Sequence, residues 1–169
     1  MSSSDEGVSP AEGVSPGEVI DSVKHPLIVS ARDLTTRPGR ERAGRCLADG
    51  ARLIANLLDA GDAVEAVLVP RGRNDQPAQQ DLRAAAARAG VAVHEVRAGV
   101  LRHVLAGAAP PEALAVCPLP RVRPGAVPAR RLAVVCAGVA DPGNLGSVIR
   151  TAVGLGPAAV VLTGDEDPG

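Results

Sequence analysis

The chain contains no phenylalanine, tyrosine or tryptophan. No other feature constrains the fold as much. Aromatic side chains carry a large share of the buried surface in most cores and interfaces. Any interior here must be closed by Ala, Val, Leu and Ile, and any nucleic-acid contact must work without aromatic stacking. A core is nonetheless expected: 46% of the 169 residues are hydrophobic and 22% are charged, an ordinary globular balance that excludes wholesale disorder. The length allows one or two small domains. Of the 18 basic residues only Lys24 is lysine. Arginine in place of lysine, with abundant Ala, Gly and Pro, points to a GC-rich genome, so part of the aromatic deficit reads as coding bias.

No stretch of about 18 apolar residues runs without a charge, Pro or Gly, so no membrane span is expected. The three cysteines, Cys46, Cys117 and Cys136, lie in apolar stretches with no C-x-x-C pair and no His at metal-ligand spacing. They read as reduced, buried, small side chains, and no metal site is expected. Residues 1–20 lack the basic and apolar regions of a signal peptide. A cytoplasmic location is the expectation.

The net charge of −1 conceals an uneven distribution: −5 over residues 1–21, +7 over 22–131 and −3 over 132–169. The tail repeats Glu-Gly-Val-Ser-Pro at Glu6–Pro10 and Glu12–Pro16. Residues 1–21 are expected to be a disordered acidic tail. Beyond them strand and helix patterns alternate. Helices are expected at Pro26–Leu34, after Asp49 as cap (Leu53, Ile54, Leu57 and Leu58 at helical spacing, ended by Gly61), at Pro77–Ala89 closed by Gly90, and at Ala98–Ala106. Strands are expected at Arg45–Ala48, Val64–Val69, Val91–Val96 and Ala113–Cys117. The alternation predicts a small α/β domain over 22–117 with a mostly parallel sheet. Residues 118–130 hold four prolines and a glycine and read as a stiff linker. The pattern then restarts: a strand at Leu132–Ala137, a loop at Gly138–Asn144, a helix at Leu145–Leu155 and a strand at Ala158–Thr163. One βαβ unit of this size does not fold unaided, so residues 131–169 read as the opening of a further domain.

Two constellations carry chemistry. The stretch Asp141-Pro-Gly-Asn-Leu-Gly-Ser-Val-Ile-Arg150-Thr-Ala reads as strand, tight turn and helix start. Asn144 is a candidate cap, and the free amides of a first helical turn can hold an anion. Arg150, on a largely apolar helix, either seeks a phosphate or carboxylate or is a surface arginine on a structural turn. The second constellation is Arg37, Arg40, Arg42 and Arg45, offset only by Glu41. With Pro38 and Gly39 inside it, the run is expected to be a mobile loop, either simply solvated or binding phosphates through paired hydrogen bonds. Arg121, Arg123, Arg130 and Arg131 bracket the linker and read as solvation or as an RNA track. His25, His94 and His103 show no catalytic spacing.

The Asp141–Ala152 stretch, followed by Gly154-Leu-Gly156 and Val160–Leu162, resembles the first signature motif of the SpoU/TrmH family of RNA 2'-O-ribose methyltransferases. Lys24-His-Pro-Leu27, the arginine run and Leu47-Ala-Asp-Gly50 resemble that family's substrate-binding domain. Asp49 stands where Glu is more usual there, and Cys46 where an aromatic is common. The resemblance covers roughly residues 20–169. It implies a small α/β RNA-binding domain followed by the first βαβ unit of an incomplete, knotted SPOUT-type domain. It also implies S-adenosylmethionine as methyl donor, ribosomal or transfer RNA as substrate, and a homodimer in the family at large. Asn144 and Arg150 become the catalytic candidates, the arginine helping to activate a ribose hydroxyl, and Arg37, Arg40, Arg42 and Arg45 the RNA-binding ones. The family's second and third motifs, which build the cofactor pocket, find no match, so no cofactor-binding residue is assigned. The 169-residue chain is expected to be C-terminally truncated, to bind RNA in a salt-dependent way and not to methylate it. The rival expectations are a stand-alone RNA-binding or ribosome-associated module, a small nucleotide-binding protein using the Gly138–Gly146 loop, and a fragment without function.

Overall fold

A computed structural model describes residues 19–105, 110–120, 132–156 and 158–163. The chain divides into two compact units, residues 1–119 and 120–169. The repeated acidic segment and Arg121, Arg123, Arg130 and Arg131 lie outside the described residues.

The first unit runs α1 (Pro26–Asp33), α2 (Arg37–Ala43), β1 (Arg45–Asp49), α3 (Ala51–Asp59), β2 (Ala66–Pro70), α4 (Pro77–Ala89), β3 (Val93–Val96), α5 (Ala98–Arg102) and β4 (Leu114–Pro118). The sheet order is β1-β4-β2-β3. Only β2 and β3 are parallel, whereas β4 lies antiparallel between β1 and β2. The expectation of a mostly parallel sheet is therefore corrected. Helix length supplies the reason. α3 and α4, with 9 and 13 residues, carry the chain back along the sheet and give parallel crossovers. α5 has five residues and ends well short of Ala106. At ~1.5 Å per residue it is too short to return the chain along a strand of ~17 Å, so β4 enters from the end where β3 stops.

β2 is buried along its whole length, and its alternation builds two cores. Val67 and Val69 pack with Ile54, Leu58 and Leu82 of α3 and α4. Leu68 packs on the opposite face with Leu27, Ile28 and Leu101 of α1 and α5. Each fully buried Leu or Ile contributes about 1.5–3 kcal/mol. Small residues do the work that aromatics do elsewhere. Ala51, Ala55, Ala85 and Ala86 are all buried between α3, α4 and the sheet, which lets the layers approach closely. Leu53, despite its helical spacing, points outward at 49% exposed.

Three local expectations are revised. The expected boundary at residue 21 falls too late: Ile20 is 2% exposed, bridges Val96 in parallel and so extends the sheet at its β3 edge. Asp49 is not the cap of α3. Gly50 takes that place with φ 112° and no side-chain cap, its N–H donating to the Ala113 carbonyl at 3.0 Å. The arginine run is not a loop but helix α2. Thr36 caps it by accepting from the Gly39 N–H at 3.2 Å, Pro38 lies in its first turn, and Gly44 closes it at φ 61°. Pro and Gly here are the start and stop signals of one short helix.

The second unit has β5 (Leu132–Ala137), α6 (Pro142–Gly154) and β6 (Ala158–Thr163), with β5 and β6 parallel. α6 begins three residues earlier than expected. Asp141, not Asn144, is its cap: the Asp141 Oδ1 accepts from the Asn144 N–H at 2.6 Å, with Pro142 as first helical residue. Val135, Val153 and Leu155 are each more than half exposed. Among the described residues no helix is long and apolar enough to cross a membrane.

Candidate nucleic-acid interface and the Arg150 helix

The sequence-flagged arginines occupy α2 and the first residue of β1, and each meets an acceptor of its own chain. Arg37 Nε donates to Glu41 Oε1 at 2.9 Å along one helix face. Arg42 Nη2 donates to both Asp33 oxygens at 2.8 and 2.6 Å, tying α2 to the end of α1. Arg45 Nε donates to Glu65 Oε2 at 2.6 Å, joining the start of β1 to the approach to β2. Arg40 Nη1 donates to the Thr35 carbonyl at 3.3 Å. The Arg37 and Arg42 pairs are largely solvent-exposed and the Arg45 pair is half-buried. Exposed pairs of this kind are worth ~0–1 kcal/mol, so a phosphate can exchange with the carboxylate at small cost. Arg42 also borders an open cleft of about 910 Å³ with Arg32, Asp33, Thr36 and His103.

In the second unit Asn144 occupies the third helical position of α6 and is exposed. Arg150 lies six residues on, about 120° away around the axis. Its side chain follows the backward tilt of helical Cβ atoms. The guanidinium lies over Gly146, where an added Cβ would sit 3.3 Å from Nη1, and donates weakly to Ser147 Oγ at 3.3 Å. A residue without a side chain at 146 thus brings the cation toward the Asn144 end of the helix. The open anion site expected at this helix start is not open: the Asp141 carboxylate occupies it.

A cavity of about 290 Å³ between β5 and α6 is lined by Val134, Val148, Ala152 and Leu155, with Ser147 and Thr151 as polar groups. Both hydroxyls donate to backbone carbonyls one turn back, at 2.9 Å each. Neither is left as a donor for a nucleoside. Among the described residues no group of three His, Cys, Asp or Glu side chains could hold a metal ion.

Histidines and cysteines make up the remaining titratable groups of interest. His25 caps α1, its Nδ1 accepting from the Leu27 N–H at 3.2 Å. His94 is 5% exposed with Nε2 unpartnered. Burial, then the nearby His25, holds its pKa below the usual imidazole value. Cys46 and Cys117 face each other across β1 and β4 as free thiols, and Cys136 is buried and free. Burial, then Cys46, Glu65 and Asp62, pushes the Cys117 thiol up to about 11. The sequence pattern does not flag Arg71, Arg73 and Arg97, which follow β2 and β3 directly. Their signal is position, one to three residues past the end of an apolar strand.

Comparison with known proteins supplies the family. The MRM3-like substrate binding domain matches residues 25–115, more than half of the chain and almost the whole described first unit. The chain belongs to the SpoU/TrmH family. The Bacillus subtilis 23S rRNA (guanosine(2553)-2'-O)-methyltransferase RlmP is 29% identical over 143 residues, 85% of this chain and 53% of RlmP. That match is longer than the first unit, so SpoU/TrmH likeness continues into the second. A crystal structure of an RNA 2'-O ribose methyltransferase superposes with a TM-score of 0.68 at 32% identity, covering 89% of this chain and 57% of that one. The SpoU methyltransferase AviRb from Streptomyces viridochromogenes, in complex with AdoMet, gives 0.66 at 29%, covering 82% and 54%. The chain thus spans about half the length of these SpoU/TrmH relatives. Their shared architecture accords with an N-terminal α/β domain followed by part of a SPOUT domain.

Proposed function

We propose that this chain carries the RNA-recognition half and the first catalytic helix of an RNA 2'-O-ribose methyltransferase. Ribosomal RNA is the substrate and S-adenosylmethionine the methyl donor. The observation that carries the reading is the union, in one chain, of the substrate-binding domain match over 25–115 and a capped helix whose Arg150 folds back over Gly146. Arg37, Arg40, Arg42 and Arg45 hold phosphates by exchanging their internal acceptors for phosphate oxygens. Arg150 stabilises negative charge on a ribose 2'-oxygen, a poor nucleophile until it loses its proton. Asn144, its side chain exposed beside the capped turn, orients the ribose. The donor supplies an electrophilic methyl group. By the family resemblance, its binding residues belong to the part of the relatives that this chain does not cover.

The test is a filter-binding titration of the 169-residue chain against in vitro-transcribed 23S rRNA, at several salt concentrations, with tritiated S-adenosylmethionine added in parallel. The reading expects salt-dependent binding and no incorporated label. Absence of salt-dependent binding, or label in the RNA, defeats it. In a chain extended to the length of its relatives, Arg150→Ala is expected to lower kcat with little change in RNA affinity, since it acts on developing charge.

A further inference from the structure

Among the described residues, three arginines without a side-chain partner stand close together at the other end of the sheet. Pro70 and Val96 are opposite each other at the C-terminal ends of the parallel strands β2 and β3. The Arg71 N–H continues that ladder to the Val96 carbonyl at 2.9 Å. Arg71 and Arg97 therefore stand on neighbouring strands about 4.8 Å apart, side chains toward the same face. Both are exposed, and Arg73 follows on the same loop through Gly72 at φ 82°. Among the described residues none of the three makes a side-chain hydrogen bond or ion pair. Asp21 and Asp75 lie at the same end and form no ion pair with them. Every arginine of the α2 and β1 cluster has an acceptor, whereas two adjacent arginines here have none and repel each other.

The loop that carries them is held in place. Arg83 of α4 donates to Asn74 Oδ1 at 2.7 Å and to Glu95 Oε1 at 2.8 Å, and Asn74 Nδ2 donates to the same Glu95 oxygen at 3.3 Å. Glu95 is thereby neutralised by Arg83 and is not available to Arg97. α4 starts beyond the loop with no side-chain cap, so its positive end faces the same region. The ends of parallel strands are where α/β sheets present ligand crevices.

We infer that Arg71, Arg73 and Arg97 form a second phosphate-contact surface for RNA, distinct from the α2 cluster. The inference rests on the RNA-binding reading above. Arg45 pairs in register with Pro118, and β2 runs past the Leu114 level, so the two surfaces are separated by the length of the strands, roughly 20 Å. By strand alternation Arg71 and Arg97 share the face of Val67, Val69 and Val93 on the α3 and α4 side, whereas Arg45 shares the opposite face with Leu47, so the two surfaces are distinct in face as well as in position.

The experiment measures fluorescence anisotropy of a fluorescein-labelled 20-nucleotide single-stranded RNA of mixed sequence against the full chain between 50 and 300 mM KCl. The variants are Arg71→Gln/Arg73→Gln/Arg97→Gln, the matching Lys triple, and Arg52→Gln/Arg88→Gln on the α3 and α4 face as a charge control. Arg52, Arg71, Arg88 and Arg97 are exposed and Arg73 is partly buried, and a circular dichroism melt checks that each variant folds. The Gln triple is expected to lose roughly tenfold in affinity at 50 mM and to lower the log–log salt slope by about 2, at ~0.7 per phosphate lost. The Lys triple is expected to keep the slope. Wild-type binding with an unchanged slope in the Gln triple, or an equal loss in the charge control, overturns the inference and leaves the RNA-binding reading standing. No binding by the wild type overturns both.

Discussion

Gly39→Ala sets two physical effects against each other. Gly39 lies in the first turn of α2 with ordinary helical dihedrals, so on helix propensity alone alanine should stabilise by about 1 kcal/mol. The structure predicts the opposite sign. A Cβ at 39 falls on the carbonyl oxygen of Asp33, 2.7 Å from the Asp33 carbonyl carbon and 2.9 Å from Thr36 Oγ1. The obstacle is backbone at the end of α1, which has no rotamer to adopt, so α2 must lift away. Overpacking of this kind costs about 1–3 kcal/mol. The shift also pulls the Gly39 N–H from its Thr36 cap, worth ~1 kcal/mol, and strains the exposed Arg42–Asp33 fork, worth less than ~1 kcal/mol. The net expectation is a loss of about 2 kcal/mol, or a Tm lower by roughly 10 °C for a unit of this size. Thermal melts followed at 222 nm measure it. Gly99→Ala is the matched control: Gly99 is in α5 with nothing within 4 Å of its added Cβ, so it should be neutral or slightly stabilising. A Gly39→Ala chain as stable as wild type would refute the claim that a glycine is required where α2 crosses α1.

Three further outcomes follow from the same packing and pairing. His94 has its folded pKa below the unfolded value of 6.5, so the unfolded chain binds the proton more readily. Its stabilising contribution is present above pH 6.5 and is lost on acidification; wild type should lose more Tm between pH 7.5 and 5.5 than His94→Gln, and equal losses count against it. With its thiol at about 11, Cys117 is roughly 0.1% thiolate at pH 8, so mass spectrometry after brief native iodoacetamide treatment should find it unmodified and label it fully only in denaturant. Asp33→Asn frees Arg42 from its fork and should raise affinity for the labelled RNA about two- to fivefold at low salt, with a stability change under ~1 kcal/mol; unchanged or weaker binding would remove Arg42 from the interface.

Much of the architecture is readable from pattern because the local signals agree. Pro77 and Gly90 bracket α4 as start and stop, and the apolar run at 66–70 is buried on both sides as its composition suggests. The family resemblance is legible in Asp141–Ala152, although the pattern alone puts the cap three residues late, at Asn144. What the pattern hides is set by tertiary geometry. A period-two strand carries no sign of direction, so the antiparallel insertion of β4 depends on the length of α5, which composition does not fix. Pro38 and Gly39 look like a loop until Thr36 and Gly44 are seen to cap a helix. Arg42 has no nearby acid at helical spacing; its partner Asp33 comes from the preceding helix, nine residues away.

Pairing also separates two jobs that an arginine can do for RNA. When phosphate replaces Glu65 at Arg45 or Asp33 at Arg42, one anion is exchanged for another at the same guanidinium. The displaced carboxylate then attracts a counterion of its own, so the net counterion release per contact is smaller than at an unpaired arginine, and the salt dependence is shallower but not lost. What that exchange provides is geometry: forks already fixed at 2.6–2.8 Å by their internal partners present donors in a set direction. Arg71 and Arg97 have no carboxylate to give up. Bringing phosphate to them relieves a like-charge contact and releases counterions without compensation. The α2 cluster is therefore expected to govern which backbone shape is accepted, and the β2 and β3 ends to govern how strongly salt opposes binding. In a chain without aromatic side chains to stack on bases, those two uses of arginine are expected to carry the phosphate contacts of the proposed RNA binding.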